Sequence, residues 1–144
     1  MSGAATLYTP ELLALAVELA AFPSRAEAAA QGEARSPTCG STIAMDLALD
    51  GEGRIEQPGM RVRACAVGQA AAAIFARHAA GKDRSAIAAA QQAITAWLAG
   101  EGPLPDWPDF ALLEPARAYP GRHGAILLPW NAALAALSTT PAAR

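Results

Sequence analysis

The residues best suited to chemistry are two cysteines. Cys39 lies in the turn-forming run Ser36-Pro37-Thr38-Cys39-Gly40, and Cys65 follows 26 positions later in Arg63-Ala64-Cys65-Ala66-Val67. A thiolate binds soft metals and attacks sulfur, so two thiols close in space can hold iron or zinc or accept sulfur. Two thiols do not complete a tetrahedral site, which takes four donors. As residue types alone, the same cysteines also read as small buried hydrophobes.

The elements around them decide whether they meet. Ile43, Met45, Leu47 and Leu49 alternate with Thr42, Ala44, Asp46 and Ala48, the period of a strand. Asp50-Gly51-Glu52-Gly53 has turn composition, and Arg54–Val62 returns as the partner strand. Pro58 cannot donate to a ladder and marks a bulge or an edge. Such a hairpin brings the start of its first strand beside the end of its second, so both thiols fall at one end of the sheet. Cys65 also opens a helix, Val67–Ala80, where free backbone N–H groups favour an anionic sulfur. Arg61 and Arg63 add positive charge, with strand alternation turning them outward.

Elsewhere, Thr9-Pro10-Glu11 is a helix start, and Leu12, Leu13, Leu15, Ala16 and Leu19 recur at helical spacing up to Phe22-Pro23. Ser24 to Gly32 reads as an irregular connection, and Glu33–Ser36 as a short extended segment. Helix Val67–Ala80 stops at Gly81, and a second helix spans Ser85–Leu98 with Ile87, Ile94 and Leu98 on one side. A loop over Gly100–Pro108 carries Trp107, helical turns run from Phe110 to Arg117, and Ala125–Leu137 closes the chain. Pro129 is expected to confine the regular part of that helix to its later turns. The order predicts an α+β fold, a small three-stranded antiparallel sheet with helices packed on one face, in a single domain over 1–144.

Composition narrows the function. The 144 residues are 53% hydrophobic and 17% charged with a formal charge of -2, which excludes a wholly disordered chain and offers no basic stripe for nucleic acid. No apolar run reaches the roughly 20 residues of a membrane span, and no signal peptide is evident. A cytoplasmic protein with reduced thiols is expected. No Gly-rich phosphate loop, nucleophile elbow or His-Glu-x-x-His helix appears, so no enzyme is expected. His78 falls roughly 20 Å along the helix from Cys65 and is set aside. Asp46 and Asp50 read as solvated, Asp106 and Asp109 as turn residues, and Trp107 and Trp130 as packing anchors.

Taken together, the two cysteine segments resemble the IscU/SufU/NifU N-terminal-domain family of iron–sulfur cluster scaffolds, closest to the SufU-like members. Ser-Pro-Thr-Cys-Gly is similar to the family's Pro-x-Cys-Gly-Asp, and Ala-Cys-Ala-Val-Gly-Gln-Ala to its second cysteine motif. Leu7-Tyr8-Thr9-Pro10-Glu11 and Gly81-Lys82 are similar to further family segments, and the stretch before Arg122 to an insertion of SufU. The resemblance implies a cluster scaffold that takes sulfur from a cysteine desulfurase and passes the cluster to apo iron–sulfur proteins. It places Cys39 and Cys65 among the ligands, of an iron–sulfur cluster or of zinc. It also places Ser41 where the family has a ligand aspartate, and Ala125 where it has a third cysteine. His123, two positions before Ala125, is the residue expected to compensate as a ligand. A family member that has become an interaction module or a zinc-binding partner is the alternative.

Overall fold

The first helix begins as its sequence dictates. In the computed structural model, which describes residues 8–24, 28, 30–37 and 40–139, Thr9 Oγ1 accepts from Leu12 N at 3.1 Å. Helix α1 (Pro10–Glu18) buries Leu12 and Leu15 and tightens into a 3-10 turn over Leu19–Ala21. Three strands follow: β1 (Ala30–Arg35), β2 (Thr42–Leu49) and β3 (Ile55–Arg63), all antiparallel in the order β1-β2-β3. The Asp50 carboxylate closes the hairpin turn by accepting from Glu52 N and Arg54 N. Pro58 sits on the outer strand β3, where a missing donor is tolerated.

Strand β1 is longer than its sequence suggests. Its six residues lack an alternating apolar pattern and are held by pairing along β2, from Ala30 opposite Leu47 to Arg35 opposite Thr42. Gly32 is needed there for closeness, since a Cβ on it would lie 2.7 Å from the Ala132 carbonyl oxygen of the last helix. Asp46 is a correction. It is only 7% exposed rather than solvated, because Ser24 folds over it and donates to its Oδ2 at 2.7 Å.

Helix α2 (Ala66–His78) is buried along most of its length, and its alanines let neighbouring backbones approach. Helix α3 (Arg84–Leu98) is capped by Asp83 and turns Ile87, Ile94 and Trp97 inward; Leu98, expected on that face, is half-buried. A 3-10 segment (Phe110–Ala118) and a short turn (Pro120–Arg122) lead to α4 (His123–Thr139). Helix α4 runs unbroken through Pro129, contrary to expectation. Proline removes the N–H that would meet the Ala125 carbonyl. Burial of Ile126, Leu128 and Trp130, worth about 1.5–3 kcal/mol for a large apolar side chain, outweighs that loss.

An aromatic cluster joins the helices to the loop before Phe110. Phe75 stacks on Trp107 at 5.5 Å between centroids, and Trp130 meets Trp107 edge-on at 5.2 Å. Both tryptophans are packing anchors, as their sequence setting suggests. The architecture is the expected α+β fold, a three-stranded antiparallel sheet with helices packed against it.

Candidate functional site

The end of the sheet carrying the cysteine segments is built from three pieces of chain. The first is formed by Ser36, Gly40 and Ser41 between β1 and β2, with Ser36 N donating to Ser41 O and Gly40 N donating to Ser36 O, both at 2.8 Å. Gly40 turns the chain with a φ of 73°, a conformation that favours glycine. Cys39 lies outside the described residues. Ser41 is buried at 5% exposure and leads directly into Thr42, whose partner across the ladder is Arg63.

The second piece is the junction of β3 and α2. Cys65 is the N-cap of α2, with extended backbone (φ -65°, ψ 172°) and no side-chain capping bond. Its thiol is free and half-buried. The Gln69 side chain donates to the Ala64 carbonyl at 2.8 Å and ties the strand end to the first helical turn. Cys65 therefore stands two residues beyond the Thr42–Arg63 pair, at the sheet end that the hairpin required.

The third piece is the start of α4. Ala125 is fully buried, and a Cβ placed on Gly68 of α2 would lie 3.4 Å from its Cβ. Beside it, a Cβ on Gly124 would collide with Ser36 Oγ of the cysteine loop. Positions 41, 65 and 125 thus belong to segments packed on one another. Ser36, Gly68 and Gly124 set that packing, and no sequence expectation singled them out. Their signal is slight: small residues at places where two backbones must touch.

His123 begins α4, half-buried, with Nε2 2.7 Å from the Arg117 carbonyl oxygen. A carbonyl only accepts, so Nε2 donates this bond and Nδ1 is the ring nitrogen not engaged by it. An imidazole fixed in this way by a backbone carbonyl has the orientation often seen in metal-binding histidines. Among the described residues, however, no three His, Cys, Asp or Glu gather in a group able to hold a metal ion. Ser41 presents a buried hydroxyl and Ala125 a buried methyl, weak or no donors for iron or zinc.

His78 belongs elsewhere. Its Nε2 lies 2.7 Å from Asp109 Oδ2, and Arg77 bridges Asp109 and Glu18. Asp109 is thus an ion-pair partner as well as a turn residue, in a left-handed conformation with φ 68°. No helix among the described residues is long and apolar enough to cross a membrane.

No family model and no curated protein matches the sequence. Solved structures do. One is the N-terminal part of a nitrogen-fixing NifU-like protein from Brucella abortus, with 29% identity, TM-score 0.85, and coverage of 95% of this chain and 96% of that one. A second comes from thermophilic Fervidobacterium islandicum AW-1 and is assigned as an iron–sulfur cluster assembly scaffold for the SUF system. It has 19% identity and TM-score 0.81, covering 92% and 97% of the two chains. A third is a hypothetical protein with 22% identity and TM-score 0.72, covering 89% and 97%.

Proposed function

We propose that this chain, which has the IscU/SufU fold and resembles the IscU/SufU/NifU family of iron–sulfur cluster scaffolds, is a scaffold-like protein of cluster assembly and not an enzyme. The cluster is its cargo. A cysteine desulfurase presents a persulfide, and the thiolate of Cys65 or Cys39 attacks its terminal sulfur. The new S–S bond forms on this chain, the old one breaks, and the desulfurase thiolate leaves with the electron pair. Two electrons per sulfur from an external thiol or ferredoxin-type reductant then release the outer sulfur as sulfide and restore the thiolate; sulfide and iron combine, and the cluster passes to an apo iron–sulfur protein.

The observation that carries this reading is the convergence of the Ser36–Ser41 loop, the Cys65 junction and the Gly124–Ala125 start of α4. In this reading Cys39, Cys65 and His123 through Nδ1 hold the metal. Ser41 and Ala125 occupy the places of lost ligands, which makes bound iron–sulfur cluster or zinc labile. The whole of 1–144 acts as one domain in the cytoplasm.

A second reading is favoured by the donor set. The buried methyl of Ala125, which offers no donor to a metal, suits a module that docks on the assembly machinery without a cluster. Anaerobic incubation with a cysteine desulfurase, cysteine and iron separates the two. An added sulfur atom on Cys65 or Cys39, with bound iron, supports the scaffold. Desulfurase binding by a Cys39→Ala/Cys65→Ala variant, with no metal in the parent, supports the module. Neither sulfur transfer nor desulfurase binding would overturn both.

A further inference from the structure

Residues paired across a ladder share a face, so Arg35, Thr42 and Arg63 form one row and Glu33, Ala44 and Arg61 the next. The apolar partners Ile43 and Met45 point the other way, into the core. These two rows line an open cavity of about 590 Å³ on the sheet face turned away from the core. Arg35, Arg61 and Arg63 are exposed there. No described residue pairs with Arg35 or Arg63, and Arg61 reaches Ser24 Oγ at 3.3 Å. Glu33 is the one acid in this lining, although the chain as a whole carries -2.

We infer that this face docks an extended, acidic segment of a partner protein. Arg61 and Arg63 are separated by one strand repeat, roughly 6.6 Å. Side chains on one face of an extended segment repeat at the same interval, so carboxylates at alternate positions fall in register with both guanidinium groups. Arg35 lies two strands away, roughly 9.5 Å, and closes on the segment from its other side. The methyl of Ala44 leaves the floor between them flat. Each exposed ion pair is weak alone, so a segment that engages three arginines is held better than a lone anion. The inference is independent of whether the thiols hold metal.

The test is a titration of the isotope-labelled full chain with a short peptide of alternating Glu and Thr at low ionic strength, followed by NMR. Shifts should map to residues 33–35, 42–44 and 61–63. R61Q/R63Q should weaken binding roughly ten-fold, and E33Q should tighten it, because it removes the opposing charge. Added salt should weaken binding in the parent. The inference is overturned if the shifts map elsewhere, if R61Q/R63Q binds as the parent does, or if a Gln-Thr peptide binds equally well. Equal binding of free glutarate would make this a small-anion site and overturn it too.

Discussion

Gly68 and Ala125 meet where α2 and α4 begin: a Cβ on Gly68 would lie 3.4 Å from the Ala125 Cβ and 2.7 Å from that of Ala64. The tight approach is to Ala64, so the bare position 68 makes room for the end of β3 at the Cys65 junction, while the start of α4 lies at ordinary contact distance beside it. Ala125 is fully buried in that contact, so whatever stands at 125 is presented to the start of α2 rather than to solvent.

That relationship makes ligand restoration a sharp test. Under the proposed scaffold function, Ser41→Asp with Ala125→Cys places a carboxylate and a thiolate at two buried positions in segments that pack together. Without metal, the buried Asp should lower stability, since an unpaired polar group in the interior is costly. Zinc should restore stability, and retention of zinc or cluster against a chelator should improve by about ten-fold or more over the parent. Thermal melts and metal analysis after anaerobic reconstitution check both. No gain in metal would show that the lost ligands have been misplaced.

Acid should loosen the tie between α1 and α2. The hydrogen bond from Arg77 holds the Glu18 carboxyl below its ordinary value, and the hydrogen bond from His78 does the same for Asp109. A carboxylate with a depressed folded pKa stabilises above the ordinary carboxylate range and loses that contribution as pH falls through its folded value. Both groups are about one-third exposed, so solvent screens the effect to a modest size. Urea midpoints of the parent and Glu18→Gln should differ at neutral pH and converge below the carboxylate range. A constant difference across that range would contradict the assignment.

Two of the three core tryptophans, Trp107 and Trp130, should respond unequally to the same truncation. Trp107 Nε1 donates to the Ile74 carbonyl at 3.0 Å, whereas buried Trp130 Nε1 has no partner among the described residues. Trp107→Phe loses a hydrogen bond, while Trp130→Phe removes an unsatisfied donor. Trp107→Phe should therefore cost about 1 kcal/mol more, read from urea unfolding. An equal or larger cost for Trp130→Phe would reverse this account.

Local pattern was enough for the β2–β3 hairpin, the capped start of α1, and the placement of Cys65 at a strand–helix junction. Those features depend on neighbours a few residues away: a period of two, a turn rich in glycine, a threonine before proline. The extent of β1 was not legible, because pairing with β2 holds it and its own side chains do not. Nor was the burial of Asp46, which depends on Ser24 reaching across from another segment.

At the candidate site the same division holds. The sequence alone determined that two thiols are present and that the hairpin sends both of their segments to one end of the sheet, because composition and the hairpin pattern are properties of the chain itself. Only the tertiary structure decided that α4 runs through Pro129 and brings Gly124 against Ser36 and Ala125 against Gly68. Close packing between segments far apart in sequence depends on which small residues allow two backbones to touch, and no local periodicity records that.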